Sequence, residues 1–449
     1  MANGISGKMR IPTTADLMSM WNASGLKEKL IFTFLMLVLF RLGIHLPVYG
    51  VNNTALMNLI ENGNNIIGFL DLFSGGALGK VSIFALGIGP YITSSIIMQL
   101  MAVIIPALEK LQKEDGEAGR RKLSQYTRVF AIVLAAFQAC VFMFYMVKTG
   151  AIVAGVNPAM FFVSSVLTLS AGSALVMWMS ELITEKGIGN GGSLIIFAGI
   201  LAGIPMYSRR TADMIAENPG LAWNLLALLA IFFITMIFIV VMQEAVRKVI
   251  IVNPKRQVGN KVYGGVNTFI PFKLNPGGVM PIIFAVAILL FPSTVFDLLG
   301  QSGIPEGALR DMIMFLRNVF SPSGATYYTI YFFMIVALTF FYASIMPNMQ
   351  PKEIADNLKK YGSSIPGVKP GRPTAEALDK ILTKTTFIGA LSLGLIALVP
   401  ALASYVTHIT TLQGIGATSL IIMVGVALDF INQIKTHLLA RNYESFLKE

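Results

Sequence analysis

The sequence predicts an all-α polytopic membrane protein whose ten transmembrane helices form two pseudo-symmetric, inverted halves. The first observation is composition: 55% of the 449 residues are hydrophobic and 13% are charged, whereas a soluble domain carries about a quarter charged residues. The second is that apolar runs recur along the chain at about 20 residues, the length that crosses a bilayer. The third is that Lys and Arg are concentrated in every second loop. This is the pattern of membrane proteins, whose cytoplasmic loops are enriched in basic residues.

Ten apolar runs are the candidate spans. They fall at about 28–46, 83–105, 128–147, 158–180, 193–206, 221–242, 279–297, 324–346, 385–404 and 417–436. The fifth run is short for a bilayer span, so we expect it to lie beside water or other parts of the protein.

The distribution of basic residues sets the orientation. With the N-terminus inside, 27 of the 34 Lys and Arg residues fall in cytoplasmic segments. Arg41 lies near the outer end of span 1, where we expect its side chain to extend to the outer lipid headgroups. The other six lie in outer loops: Lys80, Lys148, Arg209, Arg210, Arg310 and Arg317. Because basic loops are retained inside, both termini are predicted to be cytoplasmic.

Ten spans divide into two halves of five, at residues 1–206 and 207–449. An odd number of spans in each half turns the second half upside down relative to the first, the inverted-repeat plan of many membrane conduits. The prediction depends on topology, since the two halves show no clear sequence repeat.

A short apolar segment at 65–76 precedes span 2. It cannot cross ~30 Å of hydrocarbon, and chain that stops at mid-depth must lie inside protein or a water-filled cavity. We therefore predict a re-entrant helix. Gly75 and Gly76 at its end permit a hinge, so a displaceable helix and a permanently buried one are equally consistent with the residues.

Two cytoplasmic loops, 243–278 and 347–385, are long and basic. Their charge is explained either by topology and attraction to anionic membrane lipids or by docking of a negatively charged partner, protein or RNA. Their length and their Gly, Pro and alternating apolar residues favour docking.

The sequence contains no recognisable catalytic, metal or cofactor site. Its single cysteine, Cys140, excludes an internal disulfide and a cysteine-rich metal site. The glycine-rich stretch at 187–193 joins two membrane helices rather than a strand and a helix, so we interpret it as a tight turn and not as a phosphate loop.

Six stretches resemble the SecY/Sec61 family of protein-conducting channels. They lie in family order at 82–101, 117–128, 183–200, 277–285, 366–374 and 416–430, for example GGVMPIIFA and PGVKPGRPT. The resemblance implies the central pore-forming subunit of the Sec translocon of a bacterial cytoplasmic (inner) membrane. Such a passive channel translocates unfolded secretory proteins and releases transmembrane segments sideways into the lipid.

The resemblance assigns the segment before span 2 as a plug that closes the pore from outside. The plug residues are Asn65, Ile66, Ile67, Phe69, Leu70, Leu72, Phe73, Gly75 and Gly76.

It also implies a pore ring of apolar side chains, which would exclude ions without trapping a passing chain. The ring positions are Ile88, Ile92, Gly192, Ile196, Ile283 and Ile422. Gly192 stands where the family usually has a bulky residue, so the ring is expected either to be wider or to have Leu194 leaning in.

A lateral gate between spans 2 and 3 on one side and 7 and 8 on the other is implied at Thr93, Ser94, Gln138 and Phe291. Polar pairs at such a seam bias the closed state modestly, by about 0.6 kcal/mol each.

The resemblance makes the basic loops docking sites for the motor ATPase SecA and the translating ribosome. The docking residues are Lys255, Arg256, Lys261, Lys369 and Arg372. Further implied partners are SecE and SecG as subunits, signal peptides and nascent chains as clients, membrane lipids, and YidC and SecDF as additional candidates.

A secondary transporter of a small solute is the alternative function, because it would share inverted repeats and broken helices. It would need polar ligands at mid-depth, where the ring positions are aliphatic. An intramembrane enzyme would need a nucleophile or metal set that the sequence lacks.

Overall fold

The computed structural model describes residues 25–52, 74–113, 116–153, 155–258, 261–264, 267–301, 307–320, 324–345, 350–407 and 417–446. Each predicted span corresponds to one helix, and the span numbers are kept below. Spans 1 to 10 are Leu26–Gly43, Gly89–Ile104, Gly116–Lys148, Pro158–Lys186, Gly191–Glu217, Ala222–Glu244, Met280–Gln301, Ala325–Ile345, Arg372–Thr407 and Ala417–Phe446. The polytopic helical fold is therefore confirmed.

Shorter helices lie in the connections between spans. They are Pro106–Lys113, Ala308–Phe320 and Pro351–Lys360, with a 3-10 turn at Pro219–Leu221.

The outside of the helix bundle is apolar. Among the described residues, seven helices are long and apolar enough to cross a membrane. Span 6 illustrates the pattern, because Trp223 and Phe233 on it are 79% and 64% exposed. Hydroxyl side chains such as those of Ser94, Ser165 and Thr339 are instead buried. This inside-out distribution suits a protein whose solvent is lipid.

Span 2 becomes helical later than its apolar run predicts. The run begins near residue 83, but the helix begins at Gly89. Gly87 has a φ of +55°, which a right-handed helix does not accommodate, and Pro90 occupies the first turn, where proline is tolerated. The chain from 77 to 88 is therefore non-helical, and it is buried against spans 1 and 4.

Span 5 is longer than its apolar run. The prediction of a marginal span at 193–206 is corrected, because the helix continues to Glu217 with Pro205 inside it. Residues 207–217 are polar but include good helix formers, which a hydropathy pattern does not detect. The predicted boundary between residues 206 and 207 thus lies inside a helix, and the first turn after it is at 218–221.

The spans pack around one central core. Span 2 packs against span 7, and span 5 packs against span 10. These two seams join spans 1–5 to spans 6–10, and their buried side chains belong to a single hydrophobic cluster. A smaller cluster fills the space between spans 3 and 4 and the chain at 78–85.

The loop after span 6 contains four short β-strands, which the sequence analysis did not predict. Its strands are β1 (Val246–Ile251), β2 (Lys255–Val258), β3 (Lys261–Gly264) and β4 (Thr268–Lys273). β1 pairs with β4 and β2 pairs with β3, both antiparallel. β-branched residues in β1 favour the extended chain. We call the side of the bundle that carries this loop the loop side and the other the far side.

Candidate functional site

A cavity of about 390 Å³ lies between spans 2–5 and spans 7 and 8. Spans 2, 3 and 4 supply most of its polar wall, including Ser95, Arg128 and Glu181. The opposite wall is largely apolar and contains Met280 and Phe284 of span 7. The cavity is therefore enclosed by both halves of the chain.

Four of the six predicted ring positions line this cavity: Ile92, Gly192, Ile196 and Ile283. They come from spans 2, 5 and 7, which are distant in sequence. Ile88 is buried in the same hydrophobic cluster, and Ile422 of span 10 is fully buried there. The six positions are thus central, although their role as a pore ring stays a prediction.

Gly192 is accommodated by Ile88. A Cβ atom built on Gly192 would lie 3.3 Å from Cδ1 of Ile88 and 3.3 Å from Oδ1 of Asn190. The space that a bulky residue would need is therefore occupied. Leu194 does not lean into this space; it packs at Gly189 and lines a second cavity on the loop side. Leu194 therefore does not take the place of a bulky residue at Gly192, and a wider ring stays a prediction.

The turn before span 5 is fixed by side chains from distant helices. The amide of Ile188 donates to Oγ1 of Thr33 in span 1 at 3.1 Å, and the amide of Gly189 donates to Oε1 of Gln433 in span 10 at 2.7 Å. Oδ1 of Asn190 accepts from the amide of Ser193 and caps the helix. The tight turn expected at 187–193 is confirmed, and it is anchored at three points.

The predicted gate residues do not form one cluster. Thr93 donates to the carbonyl of Gly89 in its own helix, and Gln138 is half-buried on span 3. Ser94 is fully buried and donates to the carbonyl of Thr127 at 2.7 Å. It therefore joins spans 2 and 3 to each other on their side of the seam, and a gate role for it stays a prediction. Phe291 lies in the span 7 helix, but its side chain is outside the described part of the structure.

Other residues face the seam between span 2 and spans 7 and 8. Nε2 of Gln99 donates to Oγ of Ser95 one turn away, at 3.1 Å, and both line the cavity. Phe284 and Tyr342 face them with ring centroids 5.5 Å apart, edge to face. The sequence signal for Gln99 was its spacing of four from Ser95, which places both on one helical face.

An ion pair on the cavity wall was missed by the sequence reasoning. Nε of Arg128 lies 2.7 Å from Oε1 of Glu181, and the glutamate side chain is 16% exposed. The pair connects spans 3 and 4. A carboxylate one residue beyond the apolar run of span 4 was the available signal, because a charge at that depth requires a partner.

The end of the plug segment is held from span 1. Residues 65–73 lie outside the described residues, so only Gly75 and Gly76 of the predicted plug are placed. Both have positive φ, at +70° and +86°. Arg41 is a correction to the expectation that it reaches the lipid headgroups: its Nη1 donates to the carbonyl of Gly75 at 2.7 Å.

The basic loops form one structure on the loop side. Val252 forms an isolated β-bridge with Ser364, and Oγ of Ser363 donates to Oδ1 of Asn253 at 2.8 Å. The β2–β3 hairpin, which carries Lys255, Arg256 and Lys261, therefore begins next to the loop that follows span 8.

Lys369 is exposed in a tight turn at the end of that second loop. Gly367 and Gly371 on either side of it have φ of +82° and +98°, and the carbonyl of Lys369 accepts from Oγ1 of Thr374 at 2.8 Å. Arg372 is exposed and pairs with Glu376 one turn along span 9 at 3.2 Å. The two loops place their basic residues on the same side of the bundle, but a docking role for them stays a prediction.

Over the ranges that the structure describes, no group of three His, Cys, Asp or Glu side chains could hold a metal ion.

Comparison with known sequences gives one consistent family. The family model described as SecY matches residues 82–431. A relative from Synechococcus elongatus named "Protein translocase subunit SecY" is 42% identical over 440 residues, covering 96% of this chain and 97% of its own. A relative of the same name from Thermotoga maritima is 40% identical and covers 94% of this chain and 95% of its own.

Solved structures share the fold at low sequence identity. One described as the structure of a protein-conducting channel has a TM-score of 0.64 and 17% identity over 92% of each chain. The Sec61 channel of a canine ribosome-channel complex from the endoplasmic reticulum has a TM-score of 0.61 and 16% identity, again over 92% of each chain.

Proposed function

The chain belongs to the SecY family, and from that premise we propose how its residues carry out protein translocation. It is the pore-forming subunit of a Sec translocon, a protein-conducting channel and not an enzyme. It moves unfolded polypeptides across a membrane and releases transmembrane segments into it. The energy for transport comes from outside the chain, and the channel supplies a path with a closed resting state.

The observation that supports this path most directly is the convergence of Ile92, Gly192, Ile196 and Ile283 on one cavity between the two halves. With Ile88 and Ile422 they act as the pore ring. A narrow apolar constriction loses its water when empty and so resists ions, yet it offers a passing chain no fixed hydrogen-bond partner. β-branched isoleucine is stiff at χ1, which keeps the constriction defined.

The two halves, spans 1–5 and spans 6–10, are the bodies that separate when the gate opens. We place their joint at 218–221, after the end of span 5. The seam of spans 2 and 3 with spans 7 and 8 opens to lipid, and its gate residues are Thr93, Ser94, Gln138 and Phe291. Ser95 and Gln99 face Phe284 and Tyr342 across it. The plug, residues 65–76, closes the far side of the pore.

The loop side faces the cytoplasm of a bacterium, and both termini lie there. The basic distribution of the loops supports this orientation. Lys255, Arg256, Lys261, Lys369 and Arg372 dock the motor ATPase SecA and the ribosome. Two structural neighbours are channels bound to ribosomes, the canine Sec61 complex and a yeast Ssh1 complex. SecE and SecG complete the complex, signal peptides and nascent chains are its clients, and YidC, SecDF and membrane lipids are further partners.

Transport in reconstituted vesicles tests the function. Vesicles that contain the chain with SecE, SecG and SecA should import an unfolded secretory precursor when ATP is supplied. The same vesicles should not concentrate a labelled small solute. Solute uptake without precursor import would support the transporter alternative and overturn the channel proposal.

A charge reversal tests the docking surface. Lys369→Glu should reduce SecA-dependent import severely, because it places a repelling charge at an exposed turn, while insertion of the channel into the membrane should be unchanged. Lys80→Glu, the same reversal on the far side, is the matched control. Import at the level of the parent channel in the Lys369 variant would remove this residue from the docking surface.

A further inference from the structure

A hydrogen bond on the loop side joins the two halves of the chain. Oε1 of Gln433, in the loop-side part of span 10, accepts from the amide of Gly189 at 2.7 Å, although the two residues are 244 positions apart. On the other side of the bundle, at the seam of span 2 with span 7, Gln99 donates to Ser95 within its own helix. The seam of span 5 with span 10 is therefore fastened at its loop-side end by a specific polar contact.

The turn before span 5 lies directly against span 10. Gly189 has a φ of +91°, which favours glycine. A Cβ atom on it would lie 2.9 Å from Cδ1 of Leu194 and 3.5 Å from Cδ2 of Phe430 in span 10. The amide of the preceding residue, Ile188, donates to Oγ1 of Thr33 in span 1 at 3.1 Å. The turn is therefore held by its own half while its next amide points to span 10.

The acceptor side of the contact is fixed as well. Nδ2 of Asn432, the residue before Gln433, donates to Oε1 of Glu244 at the end of span 6 at 3.2 Å. Neighbouring residues on an α-helix point about 100° apart, so one side chain of this pair reaches span 6 and the other reaches the turn before span 5. Span 10 is therefore joined to its own half and to the other half at the same level.

Span 5 is connected to the second half at both of its ends. On the far side the chain continues into span 6 through 218–221, and on the loop side Gln433 holds the turn before span 5. The helix between these points, Gly191–Glu217, has 27 residues and is about 40 Å long at 1.5 Å per residue. Two fixed points define an axis, and domains that move as bodies turn about a few such points.

We propose that Gln433 is a positioning residue that fastens span 10 to the turn before span 5. By holding the loop-side end, it makes the length of span 5 the hinge about which spans 6–10 turn relative to spans 1–5. The second step rests on the proposed function, in which the seam of spans 2 and 3 with spans 7 and 8 opens, whereas the first concerns only the contacts above. Without the Gln433 side chain the halves keep their chain connection at 218–221, and spans 5 and 10 are expected to separate on the loop side.

Distances between spin labels in the complete complex, reconstituted in lipid vesicles, test the first step. The labels are attached to pairs of cysteines in a Cys140→Ala background and measured by pulsed electron paramagnetic resonance. Each pair joins the two halves at exposed positions: Lys186→Cys with Lys435→Cys on the loop side, and Arg210→Cys with Tyr405→Cys on the far side.

Gln433→Met removes the acceptor and keeps a similar volume. It should raise the population with a longer 186–435 distance about fivefold, the factor expected for loss of one ordinary hydrogen bond. The 210–405 distance should be unchanged, because the chain connection at 218–221 is intact. The contact of Gln433 therefore affects one end of span 5 and not the other.

Three further variants separate this contact from a general effect of substitution. Gln433→Glu keeps an acceptor oxygen and should retain both parent distances. Asn432→Leu removes the neighbouring amide, whose contact lies within the second half, and should also retain them. Gly189→Ala displaces the turn, because its Cβ atom would meet Leu194. It should lengthen the 186–435 distance with Gln433 intact, and adding Gln433→Met should have little further effect, since both remove the same contact.

Two results would overturn the positioning role. One is an unchanged 186–435 distance in both Gln433→Met and Gly189→Ala. The other is a longer distance for both label pairs together with a lower Tm, which indicates general loosening of the bundle.

A precursor halted in the channel by a folded C-terminal domain tests the hinge. A third label pair, Ile104→Cys in span 2 with Ser344→Cys in span 8, lies on the two sides of the gate seam at exposed positions. In the parent complex the halted precursor should lengthen the 104–344 distance and leave the 186–435 distance at its resting value. In Gln433→Met both distances should lengthen.

The failure of the hinge and the failure of the gate give different results. If the precursor lengthens the 104–344 and 186–435 distances together in the parent, the gate stands and the hinge along span 5 is rejected. If the 104–344 distance stays at its resting value, the proposed gate is rejected and the hinge with it. The contact of Gln433 is then judged by the resting distances alone.

Discussion

The same tripeptide lies at the N-terminal ends of the two helices that carry most of the ring positions, but the two ends are anchored differently. Gly87-Ile88-Gly89 leads into span 2, which begins at its last glycine, and Gly187-Ile188-Gly189 lies just before span 5. The start of span 5 is capped by Asn190 and anchored by Thr33 and Gln433. The start of span 2 has Pro90 in its first turn, and no described side chain caps it.

The difference continues in the chain that precedes each helix. Span 5 follows span 4 through a four-residue turn, whereas span 2 follows a non-helical segment from 77 to 88, which two glycines of positive φ precede. Residues at or near the start of both helices, Ile88 for span 2 and Leu194 for span 5, belong to the central cluster. One of the two helices therefore has an anchored start, and the other follows the segment that is predicted to be the plug.

The largest expected effect on this contrast comes from removal of the predicted plug. Deletion of residues 65–76 should leave a folded channel, because Thr33, Gln433 and Asn190, which anchor the start of span 5, lie outside that segment. The channel should leak ions and accept precursors with defective signal sequences. Single-channel conductance of the reconstituted complex measures the leak. Conductance no higher than that of the intact channel would count against a plug in this segment.

A smaller increase in ion conductance is expected from a polar substitution in the pore ring. Ile92→Asn should wet the constriction, since an amide there offers water a partner. Ile92→Leu keeps volume and polarity and should have far less effect, as such exchanges typically cost under about 1.5 kcal/mol. Equal conductance of the two variants would show that residue 92 does not line the constriction.

Spans 2 and 5 both begin with a glycine, and the tightness of packing at the two positions can be compared by substituting alanine for each. A Cβ atom on Gly191 would lie 1.9 Å from the backbone oxygen of Ser180, whereas one on Gly89 would meet nothing within 4 Å. Gly191→Ala should therefore destabilise the protein by about 1–3 kcal/mol, the typical cost of overpacking, and Gly89→Ala should be nearly neutral. Thermal unfolding of the purified complex measures both, and equal Tm values would contradict the contrast.

The smallest expected effect is loss of the cap on span 5. Asn190→Ala removes the acceptor for the amide of Ser193 and should lower stability by about 1 kcal/mol. Asn190→Asp keeps the acceptor and serves as the control. A Tm for the alanine variant within error of the aspartate variant would show that the contacts with spans 1 and 10 are sufficient without the cap.

Much of the fold was predictable because a bilayer constrains a chain strongly. Every apolar run corresponded to a helix, and the glycine-rich stretch at 187–193 was a turn as its position between two apolar runs implied. Backbone in lipid has to satisfy its own hydrogen bonds, so an apolar run of sufficient length has few alternatives to a helix. The loop after span 6 lies outside that constraint, and its four strands were not predicted.

The candidate site was predictable only in part. The ring positions followed from motif registers, and the structure brings four of them to one cavity. The partner of Ser94 could not be predicted, because hydroxyl side chains on a helix give no sign of which neighbour accepts their hydrogen bond. The pair of Arg128 with Glu181 was missed because its members are 53 residues apart in sequence.

By itself the sequence determined the number of spans and the family and predicted the side on which the basic loops lie, because composition, periodicity and motif order are local properties. Only the tertiary structure decided where polar side chains find their partners. Arg41 is the clearest case: a cation near the end of a helix reaches lipid headgroups by default. It donates to Gly75 instead, because folding brings a carbonyl within 2.7 Å of its guanidinium. The cost of an unpaired charge is set by what surrounds it, and that is a property of the packed chain.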